Sequence, residues 1–310
     1  MKRAVALFLL LLGCIHLLMA QSKKPVIAFA SDTQEPMWIE KLWLRSDHNL
    51  EATKMIFKDV DTLRPKAFFI LGDVVSLGKS QSAWKNIDKY LGAAVKDSVP
   101  VYATLGNHEV MFNSKKGIRN FRKRFTAYDP SGYAEVIDSV AVVLLNSNFA
   151  DMTPAEIAQQ NGWYKAELIN LDNNPAIKMV IVGCHFSPYT NSTIVSPSAE
   201  VKRDFVPPFI QSKKAILFLS GHSHNFESFK VQGKQFLVIG GGGGLHQPLR
   251  ANNDVMHDLA ADYKPEFHYL EVSREGNKLN ILSRKLKKDF SAFDDGLSMQ
   301  IKGQPGTGAK

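Results

Sequence analysis

Side chains of metal-ligand type recur along the sequence, each shortly after a brief apolar run. Val26 to Ala30 is followed by Ser31-Asp32-Thr33-Gln34, Ala67 to Leu71 by Gly72-Asp73, and Val101 to Leu105 by Gly106-Asn107-His108-Glu109. Met179 to Val182 leads into Gly183-Cys184-His185, and Ile216 to Leu219 into Ser220-Gly221-His222-Ser223-His224. Carboxylate, amide oxygen and imidazole together suit a hard or borderline divalent ion better than a thiolate-loving one. Taken singly, an Asp after a strand is more often a turn or cap residue than a ligand. Their joint occurrence favours the ligand reading.

The elements that must place these groups follow from periodicity. The five runs, with Val142 to Leu145, are short, apolar and rich in β-branched residues, as strands buried on both faces are. Helical stretches lie between several of them, at about 49–63, 80–96, 115–126 and 153–170. The helix after Thr153 has a capping Thr, Pro154 at its first position and Glu156 three residues after the cap. Phe226 to Val231, Phe236 to Ile239, Phe267 to Val272 and Leu279 to Leu282 read as hairpin strands with turns at Gly233 and Gly276-Asn277. The alternation predicts an α/β fold with two sheets inside and helices outside. Ligands in such sheets bind beyond the strands' carboxyl ends, so the polar loops are expected to share one crevice.

The ordered series Asp32-x-Gln34, Gly72-Asp73, Gly106-Asn107-His108-Glu109, Gly183-x-His185 and Gly221-His222-x-His224 resembles the five motifs of the calcineurin-like metallophosphoesterases. The resemblance spans roughly residues 26–245 and implies a four-layer α/β/β/α sandwich with two mixed sheets. It implies two divalent ions, whether manganese, magnesium, zinc or iron. Asp32, Gln34, Asp73 and His224 would hold one, and Asp73, Asn107, His185 and His222 the other. Asn107, His108 and His185 would meet the substrate, with His108 as acid and a metal-bridging hydroxide as nucleophile. The implied activity is metal-dependent phosphoric ester hydrolysis, a phosphomonoesterase first, with a phosphodiesterase or nuclease, or a non-catalytic metal-binding scaffold, as alternatives.

Two of the motifs depart from the usual pattern. Gln34 stands where the first motif normally has His, and its neutral amide oxygen is expected to bind more weakly and favour oxygen-loving ions. Ser76 replaces the Asp that orients the catalytic histidine in many relatives, and Leu77 a phosphate-binding Arg. A phosphoprotein substrate is therefore disfavoured, and a phosphorylated small molecule or lipid headgroup expected.

The 310 residues, with ordinary apolar and charged fractions, can bury a full core. Lys2, Arg3 and the apolar stretch to Ala20 read as an export signal cleaved after Ala20, placing the protein in the periplasm or outside the cell. A lipoprotein anchor at Cys14 is the lesser alternative. Residues 21–290 then form the phosphoesterase domain and 291–310 a disordered tail. Cys184, left without a partner in the mature chain, is expected to be a buried residue. No transmembrane span is expected after residue 20. The net charge of +8 falls by two with the signal, and the remaining excess is compatible with anionic substrates. Lys115, Lys116, Arg119, Arg122, Lys123 and Arg124 read as a solvated helix face, with guidance of anionic substrate as the alternative. Without interleaved aromatics, no specific nucleic-acid recognition is expected. Gly240 to Gly244 reads as a tightly folded loop rather than a phosphate nest.

Overall fold

The computed structural model describes residues 26–37, 42, 48–250 and 256–303. The signal segment and Cys14 lie outside them. One six-stranded sheet contains β1 (Val26–Ala30), β2 (Ala67–Ile70), β3 (Val101–Ala103), β10 (His268–Glu275), β11 (Lys278–Leu286) and β12 (Phe293–Lys302), in the order β12-β11-β10-β1-β2-β3. The other contains β4 (Tyr133–Ile137), β5 (Val140–Leu144), β6 (Met179–Gly183), β7 (Ala215–Ser220), β8 (Phe226–Val231) and β9 (Lys234–Ile239), in the order β4-β5-β6-β7-β9-β8. Strands β1 to β3 run parallel, as do β5, β6, β7 and β9, and the remaining pairings are antiparallel.

Strand periodicity sorts side chains between layers. Val140, Val142, Leu144, Met179, Ile181, Leu217 and Leu219 join the core shared by the two sheets. Their neighbours Ala141, Val143, Val180, Val182 and Phe218 face α5 (Pro154–Asn173), α6 (Ala199–Asp204) and α7 (Val206–Gln211). With both faces covered, polar alternation is lost and the strands read as unbroken apolar runs. On the first sheet Phe69 stacks on Phe29 at 5.2 Å, while adjacent Phe68 meets Phe57 of α1 (Asn49–Leu63). Helices α1 and α2 (Gln81–Lys96) thus form the outer layer on that side. Each large side chain buried in these layers contributes about 1.5–3 kcal/mol. The capping box at Thr153 is present, with Glu156 Oε2 accepting from the Thr153 amide at 2.7 Å.

The expected tail is a correction. Phe293–Lys302 forms β12, paired antiparallel with β11, and residues 304–310 lie outside the described set. As an edge strand β12 needs apolar residues on one face only, and Phe293, Leu297, Met299 and Ile301 supply them. Its Asp294, Asp295 and Gly296 give the sequence a loop-like look. Strand β4 was also unread, because its hairpin to β5 turns through Asp138 and Ser139 at φ 47° and 61° without a glycine.

Candidate metal centre

All the candidate ligands follow the carboxyl ends of parallel strands. Asp32 and Gln34 follow β1, Asp73 follows β2, Asn107 opens the short helix α3 (Asn107–Val110) after β3, His185 follows β6, and His222 and His224 follow β7. Because β1 to β3 belong to one sheet and β6 and β7 to the other, the loops meet at a shared edge of the sandwich. Asp32, Asp73 and His222 adopt φ values of 60°, 48° and 64°. Such left-handed backbone costs a non-glycine residue about 1 kcal/mol or more, and strain of this kind concentrates at functional sites. The backbone bends at His222–Asn225, and both His222 and His224 turn toward ligand groups.

Two groups of ligand atoms form, each within 4.8 Å: Asp73, His185 and His222, and Asp32, Asp73 and His224. Asp73 belongs to both. His185 Nδ1 lies 3.0 Å from the Leu71 carbonyl, and His224 Nδ1 lies 2.7 Å from that of Leu245. A carbonyl can only accept, so each Nδ1 carries a proton and each Nε2 turns toward the site. His185 Nε2 is 3.2 Å from Asp73 Oδ2 and 3.0 Å from Asn107 Oδ1. His224 Nε2 is 3.4 Å from Asp32 Oδ1. With neutral imidazoles, only lone pairs converge at these points, and only a cation or a proton reconciles them. The donor set fits divalent ions on this ground.

Gln34 resolves in the same way. Turned so that its NH2 donates to the backbone carbonyls of Asp32 at 3.0 Å and Asp73 at 2.9 Å, the amide presents its oxygen to the site. The amide atom on that side is 3.3 Å from His224 Nε2.

Electrostatics agree with a site built for positive charge. Burial opposes ionisation of Asp73, yet His185, His108 and His222 together hold it well below the usual carboxylate range. Burial opposes charge on His185, but Asp73 and Asp32 outweigh it and push His185 up to about 9. Burial, then the nearby His185, drives His222 down to about 3. In the metal-free protein a proton therefore occupies His185 at neutral pH and must leave when an ion enters. Metal uptake should release protons and tighten as pH rises toward about 9, which calorimetry in buffers of different protonation enthalpy will detect. Because the folded value is raised from 6.5, this group's stabilisation of the metal-free protein is complete below that pH. It is lost as pH rises through about 9, and thermal midpoints should follow.

Glu109 has a structural task that its place in the sequence did not reveal. Its buried carboxylate accepts from the amides of Asp73 at 2.9 Å, Val74 at 2.9 Å, Val75 at 3.2 Å and Gly106 at 2.8 Å, tying the β2 and β3 loops together. Burial and the Asp73 charge push it up to about 7. The only signal was an acid directly after His108. Close approach explains Gly106: a Cβ there would lie 2.1 Å from Asp73 Oδ1 and 2.3 Å from its backbone nitrogen. Gly106→Ala should displace Asp73 and weaken metal affinity about 10–100-fold, the range for disturbing groups that orient ligands; equilibrium metal titration checks this.

His108 is buried, with Nε2 3.8 Å from Asp73 Oδ2 and its backbone amide donating to Asp73 Oδ1 at 2.8 Å. Nδ1 is 2.8 Å from the backbone carbonyl of Ser76. The main-chain oxygen of Ser76, not its side chain, is what hydrogen-bond geometry places on the ring nitrogen. Ser76→Ala should accordingly leave kcat within about twofold, since surface-type substitutions away from such contacts change energies by about 0.5 kcal/mol or less; steady-state kinetics checks this.

The glycine loop folds tightly under the site: Gly242 and Gly244 donate to the carbonyls of Ser31 and Asp32 at 2.9 Å each, so these amides are not free for an anion. Cys184 is buried, its Sγ 3.3 Å from the Phe186 carbonyl.

A family profile described as calcineurin-like phosphoesterase matches residues 10–226. Among solved structures, a purple acid phosphatase from yellow lupin seeds superposes with a TM-score of 0.68 at 16% identity, covering 91% of this chain. This chain spans only 54% of the lupin protein's length. GAP50, the anchor in the inner membrane complex of Plasmodium, superposes at 0.63 with 14% identity, covering 91% of this chain and 90% of its own. A dimetal phosphatase from Danio rerio superposes at 0.61 with 13% identity, covering 90% and 99% respectively. At these identities the structures speak for the fold. No curated protein matches the sequence.

Proposed function

From the premise that this chain belongs to the calcineurin-like phosphoesterase family and is a metal-dependent phosphoric ester hydrolase, we propose that it is an exported phosphomonoesterase. Its substrate is a small or lipid-derived phosphate. The observation that carries the reading is the pair of ligand groups sharing Asp73, each with lone pairs turned to a common point. Asp32, Gln34, Asp73 and His224 would hold one ion, and Asp73, Asn107, His185 and His222 the other. When bound, such a pair supplies Lewis acidity that makes a nucleophile of water and offsets charge on the phosphate oxygens.

The chain's own groups do the rest. Leu71 and Leu245 carbonyls fix the tautomers of His185 and His224, so each Nε2 is oriented before an ion arrives. The Ser76 carbonyl holds the Nδ1 proton of His108 and leaves Nε2 to carry a second one to the leaving oxygen. Two structural neighbours bear phosphatase names, which supports monoester hydrolysis, and the charged start followed by an apolar stretch to Ala20 supports export.

The test compares a monoester and a diester with the purified protein in manganese. Faster release from the monoester is expected. A large preference for the diester replaces this reading with a phosphodiesterase. Metal binding with hydrolysis unaffected by His108→Ala replaces it with a scaffold.

A further inference from the structure

Helix α4 (Ser114–Arg122) is separated from α3 by three residues and carries a run of cations. Lys115, Lys116, Arg119 and Arg122, with Lys123 at its end, are exposed. Among the described residues none of their side chains has a carboxylate partner, whereas the adjacent Arg124 is paired with Asp88. Lys115, Arg119 and Arg122 share one helical face with half-buried Ile118, while Gly117, Asn120 and Phe121 face inward. Lys115, Ile118, Arg119, Arg122 and Lys123 line an open groove of about 570 Å³.

Just before the helix's N-cap Asn113 stands Phe112, 76% exposed and held at φ 62°. Left-handed backbone is a true outlier for a bulky residue, and an exposed ring gains little burial to offset it. Lys79 Nζ sits 5.0 Å over that ring. Lys79 in turn follows Gly78, whose amide donates to the His108 carbonyl at 2.9 Å. The patch is therefore joined to the loop that carries His108.

We propose that Phe112 and the α4 cations form a docking surface for an anionic lipid bilayer. An exposed ring with Lys79 over it, set just ahead of an exposed basic helix face, matches an interface in which the ring enters the acyl boundary and the charges meet headgroup phosphates. Single-stranded nucleic acid fits less well: it calls for several stacking platforms, and one face of this ring is covered by Lys79. The cations are exposed and, among the described residues, have no carboxylate partner, so docking breaks no ion pair there.

The test is co-sedimentation of the full chain with vesicles of phosphatidylcholine alone or mixed with phosphatidylglycerol. Binding to the mixed vesicles only, weakening with salt, is expected. Arg119→Gln and Arg122→Gln should each weaken it about fivefold, from the usual energy of one cation near such a surface. Phe112→Ser should weaken it further, and unchanged thermal midpoints will show that all variants fold. The proposal is overturned if mixed vesicles are not bound, if the variants bind like the parent, or if single-stranded DNA is bound where vesicles are not.

Discussion

Replacing Asp73 with Asn should reduce phosphate release to near background, a loss on the order of a thousandfold or more, the scale set by losing a major source of transition-state charge stabilisation. Asp73 is the one side chain common to both ligand groups, so losing its charge weakens both together. The substitution keeps the shape that fits against Gly106 but can place an NH2 toward His185 or the His108 amide, where an acceptor is required. Elemental analysis should show the bound metal falling with the activity. Near-parental metal content in this variant would separate Asp73 from ion binding.

The second large effect belongs to His108. His108→Asn should lower kcat about a hundred- to ten-thousandfold, the usual contribution of a positioned general acid. Metal content should be retained, because the link from residue 108 to Asp73 Oδ1 is made by the backbone amide, which the variant keeps. An aryl phosphate with a weakly basic leaving group should lose less than an alkyl phosphate, since it depends less on proton donation. Equal losses for both substrates would indicate that the ring positions the site without donating a proton. The contrast with Asp73→Asn is diagnostic: one variant loses ions and rate, the other rate alone.

Much of this arrangement was legible because parallel strands covered on both faces read as apolar runs, and the residues that follow them must meet at one edge. Strands β1 and β8 and helix α1 have the bounds their periodicity predicts. What escaped lay where backbone atoms or surface edges decide. Ser76 looked like the loss of an orienting group, yet its carbonyl does the orienting, and a main-chain oxygen has no signature in residue type. Glu109 stands directly after His108 in sequence, but its four amide contacts reach from Gly106 back to Asp73, 36 residues before it. Strand β12 hides because only one of its faces packs and Asp294-Asp295-Gly296 interrupts it. Gly296 itself lies so close to Tyr263 that a Cβ there would be 2.0 Å from the Tyr263 hydroxyl oxygen.

The most direct measurement is the metal content of the purified protein, taken together with hydrolysis of an aryl phosphate before and after chelation. Two divalent ions per chain, with activity lost on their removal and restored on their return, is the predicted result. Full hydrolysis by protein that holds no ion, before or after chelation, would contradict it.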